Sequence, residues 1–262
     1  MIFCSLYSGS SGNSIFVSSG EAKVLIDAGL PGKNIEKALN EISENASELD
    51  AIFVTHEHID HIKGVGVLSR RYDIPIYANE LTWKAMSSLV GNIKEHNIKV
   101  MSKNYTSIKD MDIKSFPISH DAAAAQGYTL YHNKKKAAVA TDLGYYSDVV
   151  KENIEDADVI LFESNHDIEM LKFGPYPYNL KRRILSDVGH LSNEASGKAI
   201  ADMIDGYKRK KVILGHLSKT NNYPELAYQT VVNILTARKI NLNKDISLTV
   251  AKRDMPSNYV EF

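Results

Sequence analysis

A chain of 262 residues can bury a sizeable core, and its 44% apolar and 24% charged residues exclude a disordered or collagen-like protein. Its 31 basic and 32 acidic residues leave a net charge of -1, which excludes a global field drawing it to nucleic acid or membrane, so any polyanion contact must be local. One cysteine, Cys4, excludes an intrachain disulfide and a cysteine-rich zinc site, and fits a reducing compartment.

Cys4 itself is expected to be a small buried hydrophobe in the first strand. The opening M-I-F-C-S-L-Y-S-G has no basic region before its short apolar run, and nowhere do about eighteen apolar residues follow one another. A cytoplasmic location without membrane contact is expected. Local basic clusters occur at Arg70-Arg71, Lys134 to Lys136, Lys181-Arg182-Arg183 and Lys208 to Lys211, and each reads as a solvated face.

Along the chain, β-type runs at Ile2 to Tyr7, Ser14 to Ser18 and Lys23 to Asp27, parted by S-G-S-S-G-N and S-S-G-E, predict an antiparallel meander. Apolar Ile35, Ala38, Leu39 and Ile42 at helical spacing predict a helix from Gly32 to Ser43. The apolar run A-I-F-V-T then ends directly at H-E-H-I-D-H, which places that motif in the loop after a buried strand.

The alternation repeats with helix Val65 to Tyr72, strand Ile74 to Ala78, helix Leu81 to Leu89 and β-rich sequence from Val100 to Ser119. Strands at Ala125 to Tyr131 and Ala137 to Thr141 precede a helix at Ser147 to Asn153. The last third reads as strand D-V-I-L-F-E, helix Asn193 to Ile204, strand K-V-I-L-G-H, helix Pro224 to Lys239 and strand I-S-L-T-V-A. Strands that end in His or acidic residues and feed helices predict a mixed α/β layered fold with its site at strand ends. One domain over residues 1–262 is expected, with two halves of similar organisation packed sheet against sheet.

In H-E-H-I-D-H, His56 and His58 lie in an extended segment and point the same way, so both imidazoles can reach one ion. Asp60 and His61 fall after the turn and can face a second ion, while Glu57 and Ile59 read as spacers. Imidazole and carboxylate donors suit two divalent ions, zinc or manganese with iron also accommodated, better than magnesium or calcium alone. Further ligands are sought where other apolar runs end, at Asp27, His120, Asp142 and His216. Each alone reads equally as a cap or turn residue. Together they converge, because strand ends on one sheet edge are neighbours in space.

D-A-G, T-H-E-H-I-D-H, S-H, T-D-L-G and G-H-L-S, in this order from residue 27 to 216, resemble the metallo-β-lactamase superfamily. The resemblance implies an α/β fold, the αβ/βα four-layer sandwich, in which two mixed sheets pack face to face with helices outside. It also implies that His56, His58 and His120 hold one metal, that Asp60, His61 and His216 hold the other, and that Asp142 bridges them. Asp27 would orient the histidine cluster from behind.

The superfamily hydrolyses several ester and lactam classes, so the fold alone does not select a reaction. L-F-E-S-N-H-D, G-H-L-S-N-E-A-S-G-K-A-I-A and V-I-L-G-H-L-S-K-T resemble the nuclease branch that includes tRNase Z. That likeness implies that Glu163 orients His190, and that His190 protonates the departing oxygen or stabilises its charge; otherwise His190 simply caps the following helix. Asp60 is expected to be essential through the second metal, and a hydroxide shared by the ions is the implied nucleophile.

With S-G-S-S-G-N-S, F-G-P-Y-P-Y-N-L-K-R-R-I and G-H-L-S-K-T-N-N, the pattern is most similar to the YycJ/WalJ-type nuclease branch. This implies a nucleic-acid partner, DNA, cleaved from 5′ to 3′. Substrate contacts are expected from Ser10, Ser11 and Asn13 of the first loop, from His166, and from Ser218 and Lys219. His166 reads either as a phosphate or third-metal contact or as an ordinary polar loop residue. The tyrosines and cations of F-G-P-Y-P-Y-N-L-K-R-R suit base stacking, and equally a packed loop before a helix. Two other readings stand beside the nuclease: a thioester, lactone or cyclic-phosphate hydrolase, and a non-catalytic metal-binding protein. No inserted module of the ribonuclease J kind is evident, which speaks against processive RNA decay.

Overall fold

The computed structural model describes residues 1–204 and 208–262. Its first half runs β1 (Ile2–Tyr7), β2 (Ser14–Ser18), β3 (Lys23–Ile26), α1 (Gly32–Glu41), β4 (Ala51–Phe53), α2 (Ile59–Ile62), α3 (Val65–Tyr72), β5 (Ile76–Ala78), α4 (Glu80–Val90) and β6 (Ile98–Val100). Then come β7 (Tyr105–Ile108), β8 (Met111–Pro117), β9 (Gln126–His132), β10 (Lys135–Ala140), α5 (Asp148–Ile154), β11 (Val159–Glu163), α6 (Ile168–Phe173) and α7 (Tyr178–Ile184). The chain continues through α8 (Asn193–Met203), β12 (Lys210–Gly215), α9 (Pro224–Ala237), β13 (Ile246–Val250) and β14 (Ser257–Glu261).

Two seven-stranded mixed sheets result, ordered β14-β1-β2-β3-β4-β5-β6 and β13-β12-β11-β10-β9-β8-β7. Strand alternation decides which layer each side chain joins. On β1 to β4, Phe3, Ile15, Val17, Val24, Ile26 and Phe53 face the second sheet, where they meet residues such as Tyr128, Val139 and Leu161. Their neighbours Leu6, Phe16, Leu25 and Ile52 face the other way and pack on Ile35 and Leu39 of α1, Leu68 of α3 and Met86 of α4. The second sheet does the same with Ile160, Phe162, Val212 and Leu214 against Val150 of α5, Ile200 of α8 and Val231 of α9. Both faces of each central strand are buried, which is why the strands read as continuous apolar runs. The architecture is the αβ/βα sandwich expected from the sequence.

The antiparallel meander β1-β2-β3 is present. Cys4 is buried in β1, and burial pushes its thiol up to about 11. Differences from the sequence reading fall at short or polar elements. The helix α2 stands where a loop was expected, α7 lies in the segment read as a base-stacking stretch or a packed loop, and neither α6 nor β14 was anticipated; β14 closes the first sheet by pairing antiparallel with β1. Two lysines of the clusters read as solvated are buried: Lys136, which pairs with Asp156, and Lys210. The Lys136 Nζ also lies 5.1 Å from the Tyr131 ring centroid, so its charge is met by a carboxylate and an aromatic face. Among the described residues no helix is long and apolar enough to cross a membrane.

Candidate metal centre

The site stands where strands stop. Parallel β3 and β4 pair Ile26 with Phe53, so the residues just beyond them, Asp27 and the Thr55-His56 step, come out on one edge. Parallel β10, β11 and β12 pair Ala140 with Phe162 and Glu163 with Gly215, so Asp142, Glu163 and His216 emerge together from the facing sheet. At three of these exits the chain turns through the left-handed region, with φ of 62° at Asp27, 63° at Asp142 and 54° at His216. Side chains other than glycine are uncommon there, and asparagine, aspartate and histidine are the enriched exceptions. The turn points each ligand-type side chain back across the sheet edge. Gly29 is needed for a different reason: a Cβ there would run into the Asp60 carbonyl, and this close approach seats the histidine loop.

Donor atoms of His56, His58 and His120 lie within 4.8 Å of one another, and so do those of His56, His61 and Asp142. A third such group is Asp142, Glu163, His190 and His216. Asp142 joins two of these groups. Its carboxylate is 3.5 Å from His61 Nε2, 3.3 Å from His216 Nε2 and 3.8 Å from His120 Nε2. Asp60 stands at the rim, its carboxylate 3.7 Å from His61 Nε2 and its side chain 23% exposed.

Hydrogen bonds behind the site fix which ring nitrogen is free. Asp27 accepts from the Thr55 amide at 2.8 Å, from the Thr55 hydroxyl at 2.8 Å and from His61 Nδ1 at 2.7 Å. The Thr55 hydroxyl has spent its proton on Asp27, so it accepts from His56 Nδ1 at 3.0 Å. One carboxylate thereby sets the tautomer of two imidazoles and leaves both Nε2 atoms facing the centre. His120 Nδ1 donates to the Gly189 carbonyl at 3.2 Å, and His216 Nδ1 meets Asn13 Oδ1 at 3.2 Å, with the same effect.

These residues fit divalent metal. Burial holds His56 well below its ordinary pKa, and it lowers His58 and His216 too, so these rings are neutral and their lone pairs available. His56 Nε2 and His58 Nδ1 face each other at 3.1 Å, and the buried Asp142 Oδ2 has no hydrogen-bond partner among the described residues. Burial alone would raise Asp142, but the imidazoles of His216 and His61 prevail and keep it well below the carboxylate range. Burial likewise opposes a charge on His61, yet Asp142 and Asp27 lift it to about 10. The neutral nitrogens of His56, His58 and His216 and the ionised Asp142 carboxylate form a donor set suited to a divalent cation, which would take the place of the proton that His61 otherwise holds.

Glu163 is placed by its bonds rather than by a cation. Its Oε2 accepts the amides of Leu143 at 2.8 Å and Leu191 at 3.0 Å, and its Oε1 meets His190 Nδ1 at 2.8 Å. Burial disfavours the charged His190 ring, but Glu163, with Asp142 and Asp121, raises it to about 9. With Nδ1 committed, Nε2 of His190 faces a cleft that Ser10, Asp121, Tyr176, Arg183 and Ser218 also line.

Among the expected substrate contacts, Ser10 and Ser11 are exposed, as is Lys219, and Ser218 is buried at the cleft wall with its hydroxyl accepting from the Asn221 amide. Asn13 differs: it is buried, and its amide ties His216 to His61 and to the Asp60 carbonyl, which is a positioning place. His166 is not a surface loop residue. It is 1% exposed, neither ring nitrogen has a hydrogen-bond partner among the described residues, and burial holds its pKa down at about 4. Glu57 does more than space the motif, since it accepts the Ala123 amide and ties the histidine loop to the segment after His120. Thr55 and Asp121 were not singled out from the sequence, and Arg183 was named only within a basic cluster. Thr55 could have been noticed as a polar residue at the end of a buried run. Asp121 accepts from Arg183 and stands 3.4 Å from His120 Nε2.

Replacing Asp27 with alanine frees two imidazole rings to turn. Metal affinity is expected to fall roughly 10- to 100-fold, the range seen when such supporting groups are lost. Transfer of metal to a chromogenic chelator measures it, and wild-type retention would contradict the role given to Asp27.

A family model described as the beta-lactamase superfamily domain matches residues 22–217. The chain is 44% identical to exodeoxyribonuclease YycJ of Bacillus anthracis over 256 residues, covering 97% of each protein. It is 47% identical to exodeoxyribonuclease WalJ of Streptococcus pneumoniae serotype 2 over 247 residues, covering 93% of this chain and 91% of that one. The crystal structure of the short form of human tRNase Z covers all of both chains with a TM-score of 0.62 and 17% identity, a likeness of fold.

Proposed function

The chain belongs to the beta-lactamase superfamily and is a metal-dependent nuclease of it, and from that premise we propose that it is a two-metal exonuclease cutting DNA from 5′ to 3′. The observation that carries the reading is the Glu163–His190 pair, joined at 2.8 Å and opening on a cleft beside Asp142. A general acid aimed into a metal-flanked cleft suits departure of an alkoxide from phosphorus, and an activated thioester needs it far less.

His56, His58 and His120 would hold one ion, Asp60, His61 and His216 the other, with Asp142 between them. When bound, zinc or manganese polarises the phosphoryl oxygens and activates water at neutral pH. The protein's own groups do the rest. Asp27, Thr55 and Asn13 hold the imidazoles in register. Glu163 keeps the proton on His190 Nδ1 and orients Nε2 towards the departing oxygen. The two sheets share one core, and we treat residues 1–262 as one folding unit.

The test is a panel of end-labelled single- and double-stranded DNA and RNA with zinc, manganese or magnesium. The expected result is stepwise release of nucleotides from 5′-phosphorylated DNA. No cleavage by fully loaded protein would end the nuclease reading; release from the 3′ end would reverse its polarity, and equal cleavage of RNA would remove the preference for DNA.

A further inference from the structure

The cleft beside His190, with a volume of about 170 Å³, is the middle of a longer feature. Arg183 belongs both to it and to a shallow depression formed with Asn179, Arg182 and Ser186. Ser218 belongs both to it and to a cleft of about 560 Å³ on the other side, lined in part by Lys219, Tyr223, Lys252 and Arg253. Through these shared residues the three depressions adjoin in a row, a track with His190 in its middle member. Neither the family's ligand set nor the Glu163–His190 pair requires it.

Its chemistry points to an occupant. Arg182, Lys219 and Lys252 are exposed and enter no ion pair among the described residues. Arg183 uses Nε on Asp121 and leaves its terminal nitrogens to the cleft. The acids along the track are Asp121, Glu225 and Asp254, against five cations, on a chain whose net charge is -1. Exposed tyrosines accompany the cations: Tyr178, next in sequence to Asn179, is 72% exposed with the Arg182 guanidinium 5.9 Å from its ring centroid, and Tyr223, which lines the larger cleft, is 49% exposed. Cations that follow a backbone, interleaved with free aromatic faces, are what single-stranded nucleic acid binds. The small middle cleft favours one strand over a duplex.

We propose that a single strand of DNA lies along this track, its backbone held by Arg182 and Arg183 at one end and Lys219 and Lys252 at the other, with bases on Tyr178 and Tyr223 and one phosphate beside His190. A duplex must then fray at its end before a strand can enter. The placement rests on the nuclease reading of the same site, but binding can be read apart from cleavage.

The experiment measures anisotropy of a labelled, cleavage-resistant phosphorothioate oligothymidylate with manganese-loaded protein, over a range of salt. The strand should exceed the ~4–16 nucleotides that such grooves cover. Arg182→Glu combined with Lys252→Glu is expected to weaken binding roughly tenfold or more and to flatten the salt dependence by about two phosphate contacts. Tyr178→Ala is expected to weaken it roughly fivefold or more with little change in that slope. Lys84→Glu, one such charge reversal on the exposed side of α4, should leave binding as it is. Unchanged binding in the double variant, an equal loss from Lys84→Glu, or tighter binding of blunt duplex than of the single strand would each overturn the track. Cleavage of an unmodified strand is scored separately: a wild-type protein that binds this way but does not cut supports the track and ends the nuclease reading.

Discussion

Asp142→Asn is expected to strip most of the bound metal and to lower phosphodiester turnover by roughly 10³-fold or more, as several kcal/mol of charge stabilisation is withdrawn. Asp142 is the carboxylate shared between the histidine groups, within 3.3 to 3.8 Å of His216, His61 and His120. Asparagine keeps its shape and tolerates the left-handed backbone at φ 63°, so the fold should persist. Only the charge is removed. Elemental analysis of the purified variant, thermal unfolding and turnover together read the result. Two retained ions with near-normal turnover would show that Asp142 does not join them.

The second large effect is expected at His190. His190→Ala should lower turnover roughly 10²- to 10⁴-fold, the usual range for a positioned general acid, with metal content intact. Loss of metal instead would make His190 a ligand, which its place near Asp142 and His216 also allows. Glu163→Gln separates the two roles through pH. Against burial, Glu163 raises His190 to about 9, so the ring is charged below that pH and loses its proton as pH rises through it. The neutral glutamine weakens the hold, so the alkaline limb of the turnover profile should move to lower pH. Bound metal lowers the limb in both proteins, and the comparison is therefore the direction between them. An alkaline limb that stays in place would remove His190 as the acid.

Much of this centre was legible because its ligands sit where apolar runs stop. A strand that ends in aspartate or histidine is a local pattern, and parallel pairing brings such ends together without further information. That is how Asp27, Asp142 and His216 could be named from residues far apart in the chain. Thr55 was missed for the opposite reason: its role is to pass one hydrogen bond from Asp27 to His56, and the local sequence marks only a polar residue at the end of a buried run, not that role. Asn13 misled because a serine- and glycine-rich loop looks like an anion cradle, whereas its side chain is folded inward against His216. The helices α6 and α7, of 6 and 7 residues, are too short to show a helical period. β14 reads as polar sequence until the edge of β1 is there to receive it.

The joining of distant chain segments also orders events in time. The His216 amide donates to Ser8 Oγ across 208 positions, and its ring meets Asn13 across 203. Contacts of such sequence separation form slowly, since most of the chain must already be arranged. During synthesis the histidines at 56, 58, 61 and 120 emerge long before Asp142 and His216. The centre is therefore complete only once β12 has paired with β11 and brought His216 to 3.3 Å from Asp142, so folding of the last third and assembly of the site are one event.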